Sequence, residues 1–143
     1  MRRILILASV VALIAIPGGF LLWAMFSDQS SFSSRLSSFD DLPETAKDIS
    51  VYKNANMSGL LLIEFTIPEI DLREYALKHS WGLQEIVHSQ PIMSAIKRHK
   101  SKTDIYRTIS DGLYFESRKE NGGGVTVAYD REHQIGYVNR SSR

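Results

Sequence analysis

The feature that most constrains this chain is an apolar run at its start. The first residues read MRRILILASVVALIAIPGGFLLWAMF, and after Arg2 and Arg3 residues 4–26 carry no charge. A helix needs about 20 such residues to cross the hydrocarbon layer of a bilayer. Two readings compete. A cleaved secretory signal has a basic start, an apolar stretch of roughly 7–15 residues and small residues at the cut. Residues 4–16 fit that stretch, with Pro17, Gly18 and Gly19 as the break after it. The apolar run then resumes as FLLWAMF, and Phe26 stands where a cleavage site needs a small side chain. The expectation is an uncleaved transmembrane anchor over residues 1–26, in contact with the lipid bilayer through residues 4–26. The next basic residue after Arg3 is Arg35. The positive-inside rule then puts the N-terminus in the cytoplasm and the remainder outside, as a single-pass protein of the plasma (inner) membrane.

Beyond the anchor the chain is charge-balanced. The 143 residues hold 17 Lys and Arg against 16 Asp and Glu. From Asp40 onward 14 basic residues face 15 acidic ones, which supplies no field for nucleic acid. There is no cysteine, so disulfides, thiolate metal sites, a cysteine nucleophile and a lipidated cysteine are excluded.

Residues 27–41, SDQSSFSSRLSSFDD, hold seven serines and no periodic apolar pattern. They read as a flexible linker, with one domain over residues 42–143. In that domain, residues 49–53 suggest a short strand. Residues 60–67 are apolar at nearly every position and suggest a strong one, with Glu64 facing out or finding a partner. Pro68 stops that strand and suits a first helical turn. Leu72, Tyr75, Ala76 and His79 then share a helix face over residues 68–80. Residues 81–100 fit two short helices or one kinked helix, with Ser89 and Pro91 as a cap and first turn. Residues 103–109 read as a last helical turn or a connector. The end is β: residues 112–119, 125–130 and 135–138 alternate in polarity and predict a three-strand meander. The expected fold class is α+β, a ββα(α)βββ domain with a mainly antiparallel sheet.

The chemical motifs are sparse. In ENGGGVTVAYDREHQIGYVNRSS, three glycines precede a strand. An anion-binding Gly-rich loop needs a helix there instead, so Gly122, Gly123 and Gly124 read as a hairpin turn with Asn121 at positive φ. Asp130 suits the start of the next turn, and Asp130, Glu132 and His133 read as turn residues rather than as a catalytic cluster. His79, His88, His99 and His133 show no metal-binding spacing, and no Gly-x-Ser-x-Gly elbow is present. No catalytic residue, cofactor site or metal site is expected. Tyr114, Tyr129 and Tyr137 suit cross-strand packing or a binding face. The one charge cluster comprises Lys97, Arg98, Lys100, Lys102 and Arg107, with His99 among them. It suits either a solvated helix end or a patch contacting anionic lipid headgroups or an acidic protein face.

LPETAKDISVY, the strand–proline–helix after it and the terminal GLYFESRKENGGGVTVAYDREHQIGYVNRSS together resemble a loose group of small bacterial proteins. Members of that group carry an N-terminal anchor or lipid signal and one extracytoplasmic domain of unknown function. The resemblance covers roughly residues 42–141. It implies a location outside the membrane and a β-ending domain, and it brings no catalytic residues. The functional expectation is a membrane-tethered extracytoplasmic interaction module, for instance an immunity or inhibitor protein, whose partner is an envelope protein or component. The alternatives are an envelope hydrolase using dispersed carboxylates or histidines, and an accessory subunit of a membrane complex.

Overall fold

The computed structural model describes residues 30–40, 42–55 and 59–142. The anchor expected over residues 1–26 lies outside them. Among the described residues, no helix is long and apolar enough to cross a membrane.

The fold is α+β around one antiparallel sheet. Its strands are β1 (Ser30–Leu36), β2 (Lys47–Asn54), β3 (Leu60–Thr66), β4 (Gln84–Glu85), β7 (Gly112–Arg118), β8 (Gly124–Asp130) and β9 (Ile135–Ser141). They lie in the order β1-β2-β3-β9-β8-β7-β4. β5 (Gln90–Met93) and β6 (Tyr106–Ile109) form a separate two-stranded ribbon. Helix α1 (Glu69–Lys78) comes after β3, and the short helix α2 (Ala95–Lys100) links β5 to β6.

β3 explains the layering. A strand with one solvated face alternates apolar and polar residues, whereas LLLIEFT is apolar on both sides and is covered on both. On one face Ile63 and Phe65 join Ile49, Val51, Val127, Tyr129 and Val138 under Leu72 and Tyr75 of α1. On the other, Leu62 meets Tyr52 and Ala95 of α2, while Ala128 and Tyr137 meet Ile92 and Ile109 of the ribbon. The main sheet is therefore the middle layer, with α1 on one side and the ribbon and α2 on the other.

Several expectations hold in place. The strands at residues 49–53 and 60–67 are β2 and β3, and the terminal meander is β7-β8-β9 with Leu113, Phe115 and Ser117 on the face opposite Tyr114, Glu116 and Arg118. The helix expected over residues 68–80 is α1, Glu69–Lys78, with Pro68 at the N-cap position, His79 at the C-cap and Leu72, Tyr75 and Ala76 buried. Asp130 starts its turn by accepting from the backbone N–H of His133 at 3.3 Å.

Other expectations are corrected. Ser30–Leu36 pairs with β2, so seven of the fifteen residues read as a linker form the edge strand of the sheet. Its ladder bonds need only a backbone. Phe32 and Leu36 supply its inward contacts from opposite faces, because a bulge between Ser33 and Leu36, with Arg35 at φ 56°, reverses the alternation. Residues 81–100 hold one short helix, not two. Pro91 lies in β5, and the helix cap is Ser94, whose Oγ accepts from the Lys97 N–H. Residues 106–109 are strand β6 rather than a helical turn or connector. In the β7–β8 turn Gly122 takes the positive φ of 82°, while Asn121 Oδ1 accepts from the Gly123 N–H.

Candidate functional site

The ribbon and α2 together reach from β1 across to Tyr114 of β7 on their face of the sheet. The ends of β7 and β8 beside the Gly122–Gly124 turn are left open on that face. Two adjoining hollows, of about 440 and about 220 Å³, form a trough there. They share Met93, Glu116, Arg118, Thr126 and Asn139. The larger is walled by Gln90, Pro91, Ile92 and Tyr106 of the ribbon and by Tyr114 of β7. Tyr106 is half-exposed. Its ring and that of Tyr114 give the trough aromatic walls over a polar floor.

Asn139 is the buried polar residue of that floor, at 5% exposure. Its Nδ2 donates to the Met93 carbonyl at 3.0 Å and so fastens the ribbon to β9. Its Oδ1 has no hydrogen-bond partner in the protein. Buried polar atoms are nearly always bonded, so an unpaired acceptor on a residue shared by two hollows marks this spot. Glu116 and Arg118 at the rim pair at 2.7 Å. Partial burial and the neighbouring Glu116 carboxylate raise the pKa of the Tyr114 hydroxyl, which stays protonated and able to donate.

Behind Asn139 lies a second polar cluster. Glu64 is 3% exposed in the middle of β3. Ser94 Oγ donates to its Oε2 at 2.5 Å, and Arg107 Nη2 pairs with its Oε1 at 3.4 Å. These contacts pin α2 and β6 to the sheet. Arg107 Nε and Tyr137 Oη are also buried without a hydrogen-bond partner. Burial first, and then the Glu64 charge, push the Tyr137 hydroxyl well above the ordinary tyrosine range.

At the opposite end of the strands, Arg131 closes an ion network. It donates to Glu69 at 2.8 Å, to Glu85 at 3.0 Å and to Asp111, and Arg73 bridges the same Glu69 and Glu85. The Arg131 hydrogen bond holds Glu69 at a pKa of about 2, with Arg73 acting in the same sense. Here the perturbed groups satisfy one another and join α1, β4 and two turns, which is an architectural role.

The sequence-derived patch is divided by the fold. Arg107 turns inward to Glu64. Lys97 pairs with Asp104 at 3.0 Å, Arg98 lies over the Tyr52 ring and His99 stacks on Phe32. Lys100 and Lys102 are exposed. Of the three tyrosines, Tyr114 lines the trough, Tyr137 is buried under the ribbon, and Tyr129 is buried on the other face, donating to the Ile67 carbonyl at 3.1 Å. Asp130 and His133 pair within their turn at 2.9 Å, away from either hollow. Among the described residues, no group of three or more His, Asp or Glu is arranged to hold a metal. Asn139 and Thr126 drew no attention in the sequence. Polar residues at alternate positions of a terminal strand normally read as a solvated face, and only the ribbon, which the sequence did not reveal, turns that face inward.

No family model, curated protein or solved structure matches this chain.

Proposed function

We propose that this protein is a membrane-tethered binding module whose domain lies outside the plasma membrane and takes its partner, an envelope protein or component, in the trough on the ribbon side of the sheet. The observation that carries the reading is Asn139: a buried amide with an unpaired acceptor, at the meeting of two hollows walled by tyrosines and rimmed by an Arg–Glu pair. Amphipathic rings around a few fixed polar groups are what recognition surfaces use. The apolar residues 4–26 and the charge asymmetry around them support anchoring, with the N-terminus in the cytoplasm.

Binding fits the trough better than hydrolysis. Its lining holds a single carboxylate, Glu116, already engaged by Arg118, whereas glycoside hydrolysis uses two carboxyl groups in opposed roles. The strongly lowered carboxylate, Glu69, belongs to the Arg131 network.

The test is photo-cross-linking from the full-length protein in cells, with the photoreactive residue at Tyr106 in one strain and at Glu74, exposed on α1, in another. A discrete adduct formed from Tyr106 and absent from Glu74, and weakened by Arg118→Ala, is the expected result. Adducts of equal yield from both positions, or from neither, would overturn the assignment of the trough.

A further inference from the structure

We propose that the C-terminal end of α2 rests on the anionic headgroups of the same membrane that holds the N-terminal segment, so that the domain stands on the bilayer instead of swinging from a tether. The inference rests on the anchored reading above and goes further, because it fixes which surface meets the lipid.

The reach of the chain limits where the domain can sit. The sheet begins at Ser30, only four residue steps beyond Phe26, the last residue of the apolar run. Four steps of extended chain span at most about 14 Å. A domain joined that closely to a membrane span has one end of its sheet at the interface, and the register identifies that end. Ser30 pairs with Asn54, and Leu60 lies opposite Asn54 on the next strand.

Helix α2 ends close to that end of the sheet, over the row Phe32–Tyr52–Leu62 two residues in from it. Ala95 packs against Leu62 and Tyr52, Arg98 lies over the Tyr52 ring, and His99 stacks on Phe32 with ring centroids 4.1 Å apart. The helix therefore crosses β3, β2 and β1 in turn and ends at the edge strand, beside a residue two positions from Ser30. Lys100 and Lys102, both exposed, follow His99 directly in the chain. The nearby Asp104 is taken up by Lys97, which leaves the local excess positive.

The other end of the sheet carries the opposite charge. Glu44, Asp111 and Glu132 lie in its loops, Glu69 and Asp71 in the first turn of α1 and Asp130 at the end of β8, and they outnumber the basic Lys47, Arg73 and Arg131 beside them. A domain with this polarity, held near a negatively charged lipid surface, turns its basic edge toward that surface and its acidic loops away from it.

The native chain lacks cysteine, so the test can use single introduced thiols. Full-length protein carrying Thr103→Cys or Glu132→Cys is labelled with a fluorophore and reconstituted in phosphatidylcholine vesicles with or without phosphatidylglycerol, together with a headgroup-attached quencher. The expected result is several-fold stronger quenching at position 103 than at position 132 in the anionic vesicles. Removing phosphatidylglycerol, raising the salt, or adding Lys100→Glu with Lys102→Glu should abolish the difference. Both lysines are exposed, and an unchanged melting temperature checks that the double variant folds. Equal quenching at the two positions, or quenching at 103 that ignores lipid charge, overturns the proposal. The latter is also what a patch built for an acidic protein face would give. Alkaline carbonate separates the two levels: a chain that stays in the membrane with no charge-dependent quenching sinks the docking alone, and a chain that is extracted sinks the anchored reading with it.

Discussion

Glu64 shows how one residue ties the layers together. A carboxyl group buried in a central strand costs several kcal/mol unless it is paired and hydrogen-bonded, and here Ser94 and Arg107 supply both from the two elements laid over the sheet. Arg107→Met is expected to lower stability by about 1–3 kcal/mol, because it leaves the carboxyl with Ser94 alone, while Glu64→Gln should cost less. Urea unfolding of the two single variants and the double variant would measure the coupling. Gly112 is the other decisive position. At φ 147° an added Cβ would lie 1.8 Å from the Tyr129 carbonyl oxygen. Gly112→Ala should therefore cost about 2–3 kcal/mol and disturb the start of β7, seen as a lower melting temperature. Only the need of Glu64 for a partner was legible in the sequence. Which residues meet it depends on Ser94 and Arg107, far along the chain in segments whose fold the sequence did not reveal.

Among the elements, β1 and the Arg131 network carry the clearest consequences. A fragment starting at Leu42, the domain boundary suggested by the serine-rich composition, loses β1 and uncovers the far edge of β2. It should be less stable than one starting at Ser27 by about 2–4 kcal/mol, measured by chemical denaturation. The network makes stability depend on acid. Glu69 is held at a pKa of about 2 against an ordinary 4.5, chiefly by the hydrogen bond from Arg131. Its contribution is fully present above the ordinary value and is lost as the pH falls from about 4.5 to about 2. The stability gap between the native protein and Glu69→Gln should close over that window. Arg131→Met should lower the melting temperature at neutral pH, and by less at high salt. Elements with a strong period were readable: LLLIEFT as a strand, Leu72, Tyr75 and Ala76 as a helix face, and the terminal meander. β1, β5 and β6 were not, since each has few apolar residues and takes its conformation from the strand it pairs with. SSFSSRL looks like a linker until β2 is beside it, and QPIM contains a proline that a ribbon edge tolerates and a local reading assigns to a helix.

On the scale of the whole molecule, the sheet separates two tasks. The α1 face holds the larger apolar core, and the ribbon face combines the buried polar residues, the trough and the basic end of α2. The trough was not legible in advance because it lies between elements distant in sequence, whereas the apolar run of residues 4–26 was legible at once. Both the proposed binding role and the proposed lipid contact require that run to hold the domain outside the membrane. The most direct measurement uses full-length protein with a single Glu132→Cys in the exposed turn, treated with a membrane-impermeant maleimide in intact cells or, where an outer membrane is present, in spheroplasts. Labelling before lysis, on a protein that remains in the membrane fraction after alkaline carbonate, is the result expected. A thiol that reacts only after lysis, or a protein recovered in the soluble fraction, would contradict an anchored domain outside the membrane.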